Sequence, residues 1–307
     1  MEESPDLRGL IAATVTPMRE DRAIDEPSLR RYLAWLAEQG VSGLALNVDT
    51  GEGPHLYPEE RLRVLEVAAE EVGDRVVIVS GLAASFTDQA CRMARDLGAA
   101  GAKALLVFPI SAYQGEPLDP EIPARYHKAI YEAAGVPLIA FQLQPALGGV
   151  SFSAEAIAAI IGTEGVVAIK EASFDAKRFV ETLRAVRTLS PEKVVLNGND
   201  NFLLEAYLLG ADGALLGFGT LGASDQVAMR QAVSDLDYAK AQEFGARLQA
   251  LCDVIFAPPV RSYRARLKHA LLRLGVIETE AMRPPLLQLD EHEQDLVDEA
   301  LKSAGVL

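Results

Sequence analysis

The 307-residue chain predicts an α/β fold, a (β/α)8 TIM barrel over residues 1–235 with a C-terminal helical extension, 236–307, packed on it. Three observations carry this expectation. Short apolar runs alternate with amphipathic stretches at a regular interval, giving eight strand–helix units. The strand runs are apolar throughout, as expected of a parallel sheet covered by helices. The interval is near the ~250 residues typical of such a barrel. The first strand also lacks the Gly-x-Gly-x-x-Gly turn of an open dinucleotide-binding sheet.

In chain order, a strand at 10–15 is followed by an amphipathic stretch at 28–39 that stops at Gly40. A second strand at 43–47 leads to Pro58-Glu59-Glu60, whose proline and acidic residues suit a helix first turn, and that helix runs 58–72 to Gly73. The third strand, 76–80, precedes a helix at 87–97 ended by Gly98, and the fourth, 104–107, precedes one at 122–134 ended by Gly135. Strands at 138–141, 166–169, 194–196 and 214–216 then alternate with helices at 154–161, 176–189, 201–209 and 225–234, the third of these ended by Gly210. Past residue 235 the strand signal ceases. Helices are expected at 238–256, 262–274 and 291–303, split by Ala257-Pro258-Pro259 and Arg283-Pro284-Pro285.

A net charge of -15 and a pI near 4.8 argue against a nucleic-acid or anionic-membrane partner, because either needs a basic patch. The start, Met1-Glu2-Glu3-Ser4-Pro5-Asp6, lacks the basic and apolar regions of a signal peptide. Cys91 and Cys252 lie far apart in helix-like segments, which fits reduced thiols in a cytoplasmic protein. His55, His127, His269 and His292 have no partners at metal-ligand spacing, so no zinc is expected.

In a barrel, catalysis belongs at the C-terminal ends of the strands. Lys170, closing the apolar run Gly165-Val166-Val167-Ala168-Ile169, is the most informative residue there. Apolar walls disfavour its charged form, leaving an amine able to condense with a ketone or aldehyde. The imine of a 2-oxo acid is an electron sink, so bonds beside it break or form with no cofactor. The other reading of a strand-end lysine is a snorkelling or ion-paired side chain. Thr50-Gly51-Glu52 either turns backbone N–H groups toward a carboxylate or is a plain turn. Glu52 and Asp200 read as cappers or structural partners.

Several motifs occur in order at these strand ends: Thr16-Pro17, Val48-Asp49-Thr50-Gly51-Glu52, Ile169-Lys170-Glu171 and Gly198-Asn199-Asp200. Together they resemble the dihydrodipicolinate synthase / N-acetylneuraminate lyase family of Schiff-base aldolases and lyases, over nearly the whole chain from Gly9 onward. The resemblance implies that Lys170 forms the imine, that the 49–52 loop holds the substrate carboxylate, and that the protein is a homo-oligomer, a dimer or tetramer. Leu267, Leu271 and Leu274 are expected to offer apolar surface for it.

The departures from that pattern are specific. A proton-relaying tyrosine at the end of strand five is replaced by Phe141, and the carboxylate-binding arginine a few residues on by Leu147. The Thr/Ser that links the tyrosine to the loop is Asp49. The tyrosine after strand four falls near Ser111, with Tyr113 offset by two. Asp49 is then either a replacement acid/base or an ion-pair partner that holds Lys170 charged. Gln142 and Gln144 either hydrogen-bond a substrate or face away from it. The expected substrate-binding residues are Thr50, Gly51, Phe141, Gln142, Leu147 and Gly217. The expected activity is a lyase of aldolase or dehydratase type acting on a small 2-oxo acid, other than dihydrodipicolinate synthase itself. The alternatives are a catalytically impaired barrel that binds a small molecule, or a phosphate-binding barrel using Gly217-Phe218-Gly219-Thr220-Leu221-Gly222.

Overall fold

A computed structural model describes residues 5–307. The strands are β1 (Gly9–Ala13), β2 (Gly43–Leu46), β3 (Val77–Leu82), β4 (Ala104–Val107), β5 (Leu138–Leu143), β6 (Val166–Ala172), β7 (Val194–Asn197) and β8 (Gly213–Leu216). Each pairs in parallel with its sequence neighbour, and β8 pairs with β1 to close the barrel. The helices between them are α1 (Glu26–Ala37), α2 (Pro58–Val72), α3 (Thr87–Ala99), α4 (Glu121–Ala134), α5 (Ala154–Ile161), α6 (Ala176–Leu189), α7 (Leu203–Leu208) and α8 (Ala223–Ser234). Three more follow, α9 (Tyr238–Ile255), α10 (Tyr263–Arg273) and α11 (Glu291–Ser303).

Why the strands read as unbroken apolar runs is visible in the packing. Alternate residues such as Ile11, Val79, Leu106, Ile139, Leu196 and Leu215 fill the barrel interior. Their neighbours, such as Leu10, Leu44, Ile78, Leu105, Ile169 and Val195, pack outward against helix residues including Leu33, Val64, Ile130 and Phe179. Both faces are therefore dry. Asp25, Ser153, Asp175, Asp237 and Asp290 cap their helices by accepting backbone N–H bonds.

Several boundaries differ from expectation, four of them for visible physical reasons. β5 and β6 continue past 141 and 169, because Gln142 and Lys170–Glu171 look like a strand's end yet keep the ladder, with Phe141 opposite Lys170 and Gln142 opposite Glu171. Gly98 lies inside α3 and does not end it. A Cβ there would meet Val136 Cγ2 at 2.8 Å, so this glycine serves close packing beside α4. The helix expected at 201–209 begins as a 3-10 turn, Asp200–Phe202, and α7 is short.

α10 lies over the C-terminal mouth of the barrel. Lys268 donates to Glu52 Oε1 at 2.6 Å, Arg283 brackets Glu60 at 2.6 and 2.8 Å, and Arg264 reaches the backbone oxygen of Asp49 at 2.7 Å. This docking overturns one expectation. Leu267 and Leu271 are fully buried within the chain, so they offer no surface to another copy, and Leu274 is only partly exposed. The exposed large apolar side chains include Leu208, Leu209, Leu236, Tyr238 and Leu287. Among the described residues, no helix is long and apolar enough to cross a membrane.

Candidate active site

The strand ends open into a cavity of about 50 Å³, with Lys170 in its wall. Asp49, Thr50, Phe141, Leu147 and Gly217 line it too, so six of the eight residues selected from sequence converge there. Phe108, Phe174, Phe256 and Tyr263 add aromatic wall, and Val48, Leu143, Ala172 and Val260 aliphatic wall. Lys170 is the one basic side chain in the lining.

Lys170 points inward because residues 168, 170 and 172 share the inner face of β6. Its Nζ sits 4.4 Å from the centroid of the Phe141 ring, its ladder partner. Gly198 makes room for it, since a Cβ there would lie 2.6 Å from Lys170 Cε. Among the described residues Lys170 has no ion pair within 4.0 Å. Burial lowers its pKa from 10.5 to about 8, while the charges of Asp200 and Asp49 work the other way. Roughly a tenth of it is then free amine at pH 7.

Outside the barrel wall, Glu171 fixes this strand. It accepts from Gln142 Nε2 at 2.9 Å, the Ser173 N–H at 3.1 Å and Asn199 Nδ2 at 2.8 Å, tying the ends of β5, β6 and β7 together. Gln142 therefore belongs to this outer network, not to a substrate. It also donates to Thr182 Oγ1 at 3.1 Å and accepts the Phe152 N–H at 2.9 Å. The alternation of strand neighbours puts it on the face opposite Phe141. Gln142→Ala should cost about 2–3 kcal/mol of unfolding free energy by leaving buried partners unmet. Denaturation will measure that loss, and substrate KM should stay within about twofold of wild type.

Gly51 is also not in the lining. A Cβ there would meet Thr14 O at 2.8 Å, and Thr16 Oγ1 donates to its carbonyl at 2.7 Å. The N–H groups of Gly51 and Glu52 are spent on Val48 O and Asp49 O, so this stretch forms a tight turn in which those two N–H groups are not offered to a ligand. Thr50, whose residue faces the cavity, is left as the contact from this loop. Glu52 is a structural partner as expected, held in left-handed backbone (φ 55°) with its carboxylate on Lys268 and the Arg283 N–H.

Asp49 resolves against an ion pair with Lys170. Its carboxylate is paired with Arg264 and accepts the Tyr263 hydroxyl at 2.9 Å. Tyr113 is no substitute for the missing tyrosine after strand four, because it is buried against Tyr126 and Phe152. In the glycine-rich turn after β8, N–H groups that could face a phosphate are already taken. The Phe218 N–H is given to Asp200 Oδ1 at 2.9 Å, the Leu221 N–H to Phe218 O, and Gly219 is pressed against Ala12.

Two site residues escaped the sequence reading. Asp200 does cap the turn after β8, but it also lines the cavity. Burial raises its pKa from 3.8 to about 6, against the pull of the Phe218 N–H and of Lys170. Its place beside Gly198 at the end of β7 was a usable signal. Tyr263 carried none, since only the docking of α10 brings it to the strand ends.

Fold and cavity define a (β/α)8 barrel with a buried, weakly basic lysine on the face where such barrels do chemistry. The chain belongs to the Dihydrodipicolinate synthetase family, whose pattern matches residues 6–304. Members of that family are Schiff-base class I lyases. A 4-hydroxy-tetrahydrodipicolinate synthase of Methylobacterium radiotolerans is 32% identical over 301 residues, 98% of this chain and 97% of that protein. The chloride-inhibited dihydrodipicolinate synthase of Acinetobacter baumannii, solved with pyruvate, is 27% identical with a TM-score of 0.86, covering 98% of this chain and 100% of its own. A monomeric dihydrodipicolinate synthase variant, 24% identical over the full length of both chains, shares the fold with a TM-score of 0.92.

Proposed function

We propose that the protein is a Schiff-base-forming lyase, of aldolase or dehydratase type, in which Lys170 condenses with a 2-oxo acid. The observation that carries this is the lysine itself, buried in the cavity wall with no ion pair among the described residues and with its pKa lowered to about 8. A structural lysine would be expected to have its charge matched, as Lys268 has. The cavity supports a substrate other than that of dihydrodipicolinate synthase. Phe141 and Leu147 offer neither a proton nor a charge, and the remaining wall is largely apolar. The substituent on the carbonyl is therefore apolar and small, with Thr50 left to hydrogen-bond the carboxylate.

Asp200 supplies the acid–base chemistry at the lysine. It takes a proton from the Lys170 ammonium, the free amine adds to the carbonyl carbon, and the proton returns to the carbinolamine hydroxyl as it leaves as water. The product is a protonated imine, and the net change is loss of one water. Both groups are needed with one proton between them. Below about pH 6 Asp200 is already protonated and cannot accept it; above about pH 8 the pair has lost the proton that water departure needs.

Borohydride trapping followed by intact-mass measurement tests this with pyruvate, 2-oxobutyrate and a branched-chain 2-oxo acid. A single adduct on Lys170 is expected, formed fastest between about pH 6 and 8 and about tenfold slower one unit outside either limit. No adduct from folded protein with any of them would sink the proposal and leave a binding protein. We also propose a homo-oligomer, dimer or tetramer, supported by the exposed Leu208, Leu209 and Leu236.

A further inference from the structure

We infer that Tyr263 and Asp49 form the proton shuttle of this site, with the tyrosine delivered by the C-terminal helical segment. The inference rests on the imine reading above and adds a catalytic residue to it. A carbinolamine forms first as a zwitterion, with the extra proton on nitrogen and the negative charge on oxygen. That proton has to travel from nitrogen to oxygen before water can leave. In a cavity walled by Phe108, Phe141, Phe174 and Phe256, water is a poor carrier, and Asp200 at this stage already holds the proton taken from the Lys170 ammonium, so a second side chain has to carry this one.

Thr50 and Tyr263 are the two hydroxyl-bearing residues in the lining. Tyr263 Oη donates to Asp49 Oδ2 at 2.9 Å and lies 3.4 Å from Thr50 Oγ1. The ring is locked in place. It stacks on Phe256 with centroids 5.0 Å apart and planes 17° apart, and the Arg264 guanidinium lies 5.0 Å from its centroid. Gly217 yields the space, because a Cβ there would come within 3.2 Å of the Tyr263 ring and 3.1 Å of Thr50 Oγ1.

The step balances within the site. As the nitrogen proton passes to Tyr263 Oη, the phenolic proton passes to Asp49 Oδ2. The reverse hop then returns a proton through Tyr263 to the carbinolamine oxygen, and both residues end as they began. Arg264 is ion-paired with Asp49 and donates to its backbone oxygen, so Asp49 carries the proton only in passing and its carboxylate keeps its aim.

Tyr263→Phe keeps the stacked ring and removes only the hydroxyl, so it is the direct test on the full-length protein. With whichever 2-oxo acid labels wild type, quenched time courses should show the same final labelling of Lys170. The adduct should form on the order of 10²-fold more slowly. Asp49→Asn should slow formation similarly, and the double variant should be no slower than the slower single, since both interrupt one path. Thermal melts of all three establish that they are folded. Labelling by Tyr263→Phe within about threefold of the wild-type rate overturns the shuttle and leaves the lyase reading intact, as do effects of the two substitutions that multiply. No adduct on wild type overturns both.

Discussion

Lys170→Met will give no borohydride-trapped adduct with any 2-oxo acid, and its turnover will fall by on the order of 10⁴-fold or more. The nucleophile is the one group here that no neighbour can replace, since it is the only basic side chain in the cavity lining. The same variant should not lose stability at neutral pH. Burial disfavours the ammonium, and the fall from 10.5 to about 8 corresponds to roughly 3 kcal/mol against the charged form. The sign follows from proton binding. Between about pH 8 and 10.5 the unfolded chain holds the Lys170 proton and the folded one does not, so stability attributable to this group rises with pH through that window. Below about pH 8 the cost is fully present. Methionine removes it, while Asp200 loses the favourable charge of its neighbour, which offsets part of the gain. A melting temperature at pH 7 equal to or above that of wild type, with activity gone, is the expected pair of results. A drop of several degrees would make Lys170 a structural residue and take the lyase reading with it.

Lys268→Met and Glu52→Gln will each destabilise the protein by about 3–5 kcal/mol, seen as a loss of roughly 10 °C in melting temperature. Both side chains are 0% exposed, with Lys268 Nζ 2.6 Å from Glu52 Oε1. Removing either partner leaves a charged or polar group buried without a counterpart. Lys268 keeps one carbonyl, Ala281 O at 2.7 Å, and Glu52 keeps the Arg283 N–H at 3.0 Å. The damage should also reach the chemistry. Glu52 follows Asp49 and Thr50 in the same turn and holds the left-handed backbone that shapes it. Adduct formation by either variant should therefore slow even at temperatures where it is folded. The double variant, with both polar ends gone, should recover part of the lost stability. Double-variant stability equal to the sum of the two single losses would mean that the pair acts independently, contrary to the packing.

The barrel was legible because its signals are local and repeated. Apolar strand runs, glycine stops and the Pro58-Glu59-Glu60 helix start each report on a few neighbouring residues, and eight repetitions leave little freedom. Lys170 was legible for the same reason, as a basic residue where an apolar strand run ends. Gln142 shows the limit. It stands beside Phe141 in sequence, but the pleat sends it to the outer network with Glu171, and one residue of strand register decides between the two faces. Gly51 reads as a ligand contact by composition, yet the space it saves belongs to Thr14 and Thr16.

By itself the sequence determined the strand–helix order, the closed parallel barrel, the family and the lysine at the end of the sixth strand. Only the tertiary structure decided which charge meets which. Asp49 pairs with Arg264 and not with Lys170, Glu52 with Lys268, and Tyr263 arrives at a loop 214 residues away. Leu267 and Leu271, free apolar surface by pattern, are consumed by the same docking of α10. The reason is physical. Secondary structure follows from short-range periodicity and backbone preference, whereas charge partners and pKa values depend on which distant segment excludes water from the strand ends.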